Sequence, residues 1–187
     1  FPQCEELIVK SLWEDEGEIR TLTNGDQVNP LQKHKEGFYL QKITDSEGIE
    51  LMPYEFMLSE GDHVIEVTAL GKEFLLQKIV LLPPETIESY SEVSKSYDSY
   101  AKYDGEQIVI EAEKALYKNA YSLSAKSDQG TADISPSSAT NAVINHIGGT
   151  TWNGVGSEIT WKINAPKDGL YKLGIAFKSS VSRLPAI

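Results

Sequence analysis

The chain reads as an all-β fold, on three observations. From 157 to 178 two runs of alternating apolar residues flank the turn Ala165-Pro166-Lys167-Asp168-Gly169, with Ile159, Trp161 and Ile163 on one side and Tyr171, Leu173, Ile175 and Phe177 on the other. Side chains alternate across a strand, so this period of two predicts two half-buried antiparallel strands joined as a hairpin. The alternation recurs over 107–113, where Ile108, Ile110 and Ala112 oppose Val109, Glu111 and Glu113. Turn residues punctuate the rest at Asn24-Gly25, Ser59-Glu60-Gly61-Asp62 and Gly71-Lys72.

Taken in order, Asn24-Gly25 predicts a two-residue hairpin, because both residues tolerate positive φ. Strands follow over 54–58, 63–70 and 73–82, and Pro83-Pro84 ends them. Ser89 then stands three residues before Glu92, the spacing of a capping box. Tyr90, Val93, Tyr97 and Ala101 continue as one stripe of a short helix whose tyrosines are expected to dock on a sheet, since so short a helix is marginal alone. The segment 128–138, rich in Ser, Thr, Asp, Gly and Pro, predicts a long loop. The expected organisation is a β region over 1–82, a helical linker over 83–106 and a second β region over 107–187.

With 187 residues the chain can bury a core. Its net charge of -11 argues against nucleic acid, whose phosphates need a basic surface, and against an anionic membrane. No apolar run approaches the roughly 20 residues that span a bilayer; the richest, 74–82, is interrupted by Gln77 and Lys78. The single cysteine, Cys4, cannot form an internal disulfide and reads as a packed thiol. The start at Phe1 and the lack of a basic and apolar leader read as an excised piece.

Three stretches together resemble a known arrangement. Ile110-Glu111-Ala112-Glu113, then Gly156-Ser157-Glu158-Ile159-Thr160-Trp161, then Pro166-Lys167-Asp168-Gly169-Leu170-Tyr171 look like the opening half of carbohydrate-binding modules of families 6 and 35. Those modules are galactose-binding-like β-sandwiches, or jelly rolls. Ile147-Gly148-Gly149-Thr150-Thr151-Trp152 and Trp13-Glu14-Asp15-Glu16-Gly17-Glu18-Ile19-Arg20 are similar to the N-terminal region of extracellular solute-binding proteins of carbohydrate ABC transporters in Gram-positive bacteria. Gly61-Asp62-His63-Val64-Ile65-Glu66-Val67 looks like the closing strand of such a module. The resemblance implies two partial sandwich modules, the closing half of one over 1–82 and the opening half of the next over 107–187.

Two sets of residues carry the expected chemistry. Glu111 and Glu113 are two apart on a predicted strand, which places both carboxylates on one face about 7 Å apart. Hard oxygen ligands suit calcium, and the resemblance implies a structural calcium held by these two glutamates; the other reading is a solvated strand face. Trp152 stands in a polar loop among Gly148, Gly149 and Gly154, so its ring is either presented or plugs one end of a sandwich. A presented indole accepts the C-H face of a sugar, with Asn145 and Asn153 near enough to meet its hydroxyls. Trp161, on an alternating apolar face, is assigned to the core.

The acidic run Glu14-Asp15-Glu16 with Glu18 reads as a solvated loop, and His34, His63 and His146 lack metal-ligand spacing. No nucleophile elbow or phosphate-cradling loop is present, so the chain is expected not to be an enzyme. The resemblance implies a non-catalytic part of a sugar-uptake binding protein. Its partners would be an oligo- or polysaccharide and, through a binding domain outside this segment, the permease of an ABC transporter. The location would be extracellular, at the bacterial cell surface, with a lipid anchor in the full-length protein. Two rival expectations are a structural spacer at the cell surface and the accessory module of a secreted glycoside hydrolase.

Overall fold

The computed structural model describes residues 9–45, 52–71, 73–131 and 133–178. Short strands dominate it, and the one long helical segment is α1 (Tyr90–Val93) running into a 3-10 helix at Ser94–Ser99. Cys4, Lys72 and Ala132 lie outside the described residues. The described chain divides into two units, one joining 10–35 to 88–178, the other holding 36–87 with Val9.

The first unit is built on a hairpin. Strand β1 (Trp13–Glu16) pairs antiparallel with β4 (Leu31–His34), Trp13 opposite His34 and Asp15 opposite Gln32. Between them β2 (Arg20–Thr21) pairs with β3 (Gln27–Val28). The connection differs from the expected two-residue turn. Leu22 exchanges backbone bonds with both Gly25 and Asp26, and only Gly25 has positive φ, at 91°. This is the geometry of a three-residue loop, a turn followed by one glycine in the left-handed region. Asn24 instead secures the loop through its side chain, bonding to the carboxylate and the N-H of Asp26.

Across the helix, β5 (Tyr117–Lys118) pairs with β1 at Trp13 and Lys118 and with β8 (Ile159–Thr160), which gives the sheet order β4-β1-β5-β8. Strands β6 (Ala125–Lys126) and β7 (His146–Ile147) form a separate pair. Among the described residues, Leu123, Ala125 and Ile144 are the buried hydrophobic ones. The β2-β3 hairpin reaches this core by side chains. Asn29 donates to the Ala125 carbonyl (2.6 Å), while Gln27 accepts from the Ile144 N-H (2.9 Å) and donates its own N-H to Ala142 (2.7 Å). Thus β1, read as part of a region ending at 82, pairs with β5 from beyond the helix, and the β2-β3 hairpin bonds to the chain there as well.

Lys118 is 1% exposed, and its ammonium lies 2.7 Å from Asp15. A charge so buried needs a partner, and Asp15 supplies it from the strand next door.

The capping box forms. The Glu92 carboxylate accepts from the backbone N-H (2.9 Å) and the hydroxyl (2.7 Å) of Ser89, and the hydroxyl bond, followed by the N-H bond, holds Glu92 below the ordinary carboxylate range. The tyrosines do not dock on a sheet: Tyr90 is 76% exposed and meets Tyr97 edge to face at 6.2 Å.

In the first unit the strands expected over 107–113 and 157–178 are corrected, as those over 54–58, 63–70 and 73–82 are in the second. Over 157–178 no hairpin forms, and the backbone groups of Thr160 and Leu170 are engaged elsewhere. Thr160 accepts from Leu116, and Leu170 bonds to Ala101 and Tyr103 in a parallel bridge at Lys102. Leu173, Ile175 and Phe177 are consequently exposed. Over 107–113 the chain turns at Glu111, whose carbonyl accepts from Lys114, so Glu111 and Glu113 do not share a strand face. Trp161 is half-buried rather than core, its indole donating to Ala112 (2.9 Å).

In the second unit Tyr54 donates its N-H to Ile43 (2.9 Å), Tyr54 and Phe56 meet edge to face at 6.4 Å, and Lys42 pairs with Glu85. The expected turn at 59–62 is tied by the His63 ring to the Ser59 carbonyl (2.9 Å). Among the described residues, 52–82 contains no paired strand, and Met57, Val64 and Leu75 are exposed. Alternation specifies which face a strand would bury; it does not supply the neighbouring edge.

Two predictions follow from the first unit's packing. A Cβ added at Gly169 would stand 2.9 Å from the Ala101 carbonyl oxygen, so Gly169→Ala is expected to cost about 1 to 3 kcal/mol in a urea melt, as overpacking does. Asp15→Ala leaves Lys118 buried without a counter-charge and is expected to cost about 3 kcal/mol, whereas the pair Asp15→Leu with Lys118→Met is expected to recover most of that loss. A double variant no more stable than the single one would show that the pair contributes by something other than charge compensation.

Candidate functional site

The Trp152 loop is shaped by its glycines. Gly148 and Gly149 take φ of 105° and 71°, values that L side chains rarely adopt, and they turn the chain into a 3-10 helix at Gly149–Thr151. Trp152 follows, its N-H bonded to the Gly149 carbonyl (3.0 Å). Its ring lies against Gly148, where an added Cβ would meet Cε3 at 2.9 Å. The indole N-H is held by the Ser157 carbonyl at 3.0 Å. Lys126 steadies the turn through Thr151 Oγ1 (3.1 Å), itself bonded to the Gly148 carbonyl.

The outcome is a ring held at one edge and 42% exposed, with Trp161 beside it at 6.3 Å and a tilt of 52°. Such an indole offers an apolar face and no free donor. It suits stacking on a ring's C-H face and leaves hydrogen bonding to neighbours.

The asparagines divide. Asn153 is exposed next to Trp152. Asn145 is 7% exposed, and its amide is taken up by the 128–138 loop: Oδ1 accepts from the Asp128 N-H, and Nδ2 donates to the carbonyls of Asp128 and Pro136, all at 2.9 Å. Asp128 continues the network, accepting from Gly130, Thr131 and Lys178, and the Lys178 bond chiefly lowers its pKa. Asn145 thus stands as the anchor of that loop.

Glu113 is 5% exposed, and its Oε2 has no hydrogen-bond partner. Burial pushes its carboxyl above the ordinary value of 4.5, and the charge of Glu111 adds to the rise. An orphaned, buried carboxylate oxygen beside a second glutamate is the kind of donor a cation would satisfy. Among the described residues, however, no three His, Cys, Asp or Glu side chains converge as a metal site, so the two glutamates would need carbonyl or water oxygens to complete a calcium shell.

Sequence reasoning missed the cluster of Trp13, His34 and Tyr121 and the Lys118–Asp15 pair on the same sheet face as Trp13. Trp13 stands two residues from Asp15, the spacing of one strand face, and that was the available signal. Lys118 and Tyr121 had none, since nothing local marks a lysine for burial. No helix among the described residues is long and apolar enough to cross a membrane.

Comparison with protein-family models, with curated proteins and with solved structures finds no match to the chain.

A pH prediction follows from Glu113. A carboxyl whose folded pKa is raised gives the folded state its full advantage below the ordinary value, and loses it as pH rises through the folded value. Without calcium, Glu113→Gln is therefore expected to raise the melting temperature at pH 7 and to match the parent near pH 4. Equal melting temperatures at both pH values would show that the carboxylate is solvated.

Proposed function

We propose that the chain is a non-catalytic carbohydrate-binding-like region of an extracellular solute-binding protein for sugar uptake. Its β-rich segments would belong to galactose-binding-like sandwich modules. The observation that carries this reading is Trp152, a ring kept partly exposed by two positive-φ glycines and fixed by a bond to a backbone carbonyl. An aromatic ring held rigidly at the surface loses little entropy when a ligand stacks on it. Asn153 and the neighbouring Trp161 would complete the contact. The ligand would be an oligo- or polysaccharide, and the permease of an ABC transporter would be reached through another domain of the same protein. The resemblances at 110–113, 147–152 and 156–171 support this assignment and the bacterial cell-surface location.

A structural spacer is the second reading, favoured by Asn145, whose amide anchors a loop instead of facing solvent. In either case Glu113 and Glu111 would hold a structural calcium, which would satisfy the orphaned Oε2 and neutralise two neighbouring carboxylates.

Affinity electrophoresis against neutral polysaccharides is expected to retard the protein, and Trp152→Ala to weaken binding about tenfold or more, as loss of an aromatic anchor does. No retardation on any polysaccharide would favour the spacer. Calcium is expected to raise the melting temperature in proportion to the logarithm of its concentration, chelator to reverse the rise, and Glu111→Gln to remove it. A melting curve indifferent to calcium would eliminate the metal.

A further inference from the structure

We propose that the Trp13–His34–Tyr121 cluster on β1 and β4 is a second carbohydrate-contacting surface, separate from the Trp152 loop. Trp13 lies opposite His34 on one side and Lys118 on the other, so these three share one face of the sheet with Asp15 and Gln32. The opposite face carries the Glu14–Lys33 ion pair and Lys35 over the Tyr117 ring. On the first face the Trp13 and His34 rings lie 3.7 Å apart with a tilt of 34°, and Tyr121 meets Trp13 edge-on at 5.0 Å. Trp13 is half-buried, His34 is exposed and Tyr121 is 61% exposed.

Three contiguous rings, one half-buried and two exposed, need a reason, and the polar groups beside them supply one. The Lys118–Asp15 pair lies on the same sheet face as Trp13 and His34. The Gln32 amide bridges it to the rings: in the orientation that satisfies both ends, its nitrogen donates to the Tyr121 carbonyl (2.9 Å) and its oxygen accepts from Lys118 (3.3 Å). Polar groups able to move are thus spent on fixing the platform, and the rings are presented pre-ordered. Pre-ordering is what a contact surface requires, because flexible rings would lose their binding energy to entropy.

The chemistry favours a neutral, hydroxylated ring. An anionic ligand would meet a chain of net charge -11, and the nearest ammonium is already paired and covered. A pyranose would lay its C-H face on Tyr121 and the open edge of Trp13, with hydroxyls toward the His34 imidazole and the Tyr121 phenol. The ligand class rests on the function proposed above; the position of the surface rests on the ring geometry alone.

The chain has three tryptophans, Trp13, Trp152 and Trp161, so its indole N-H resonances report on the two surfaces separately. The 187-residue chain labelled with 15N would be titrated with neutral β-1,4-linked hexasaccharides of glucose, xylose, galactose and mannose, the peaks being assigned by single Trp→Phe variants. The Trp13 resonance is expected to shift saturably with at least one sugar. Tyr121→Ala is expected to weaken that response about tenfold, and the exposed control Tyr90→Ala to leave it within twofold. Matched melting temperatures identify folded variants, and His34→Ala serves if Tyr121→Ala fails to fold. Shifts confined to Trp152 and Trp161 would overturn the second surface while leaving the proposed function intact. A Trp13 shift with choline chloride and none with any sugar would also overturn it, since aromatic clusters can hold quaternary ammonium. No shift of any indole with any sugar would overturn both.

Discussion

The buried contact between Lys118 and Asp15 joins two strands that are 103 residues apart in sequence, and much of the first unit depends on it. Desolvating an ammonium costs several kcal/mol unless a counter-charge stands against it, so β5 can pack here only with β1 in this register. That register places Trp13 opposite Lys118 and, on the other side of β1, opposite His34. One ion pair therefore ties β5 to β1, which pairs with β4 along its other edge and carries Trp13 opposite His34. An apolar pair could have been as stable, but it would have been less selective about register.

The β2-β3 hairpin is secured by a different means. Its contacts to 142–144 and to Ala125 run through side-chain amides and single backbone bonds rather than through a continuous ladder. Asn141 reaches the Asn24 carbonyl at 2.7 Å, and Asp26 accepts from the Ala142 N-H at 2.8 Å. The Asn24-Gly25 turn thus has two roles. It closes the hairpin, and it presents polar groups that dock the hairpin on the chain around β7. An apolar turn would satisfy the first role and forfeit the second.

The candidate site was legible in sequence to the extent that its signals were local. Gly148-Gly149 before Trp152 marked a turn, because only glycine adopts these φ values without strain, and left open whether the ring is presented or plugs one end of a sandwich. The fate of Asn145 was not legible. Asn145 and Asn153 flank Trp152 in sequence and have the same side chain, and the 128–138 loop takes up only the amide of Asn145. The same holds for Glu111 and Glu113. Alternation suggested equivalent positions, yet a turn at Lys114 leaves one carboxylate half-exposed and the other buried with an orphaned oxygen.

What the sequence determined by itself is therefore the predominance of strands, the Ser89–Glu92 cap and the places where the chain must turn. Each follows from the conformational limits of a few adjacent residues, and local hydrogen bonds suffice to realise it. Strand pairing was decided only in the tertiary structure. Ile159 and Thr160 could in principle have joined the run after Gly169, and they join β5 instead, because a backbone edge has one set of N-H and C=O groups and the nearest compatible partner takes them. Whether a lysine is buried, an asparagine committed or a tryptophan presented depends on that choice of partner, and no period in the sequence encodes it.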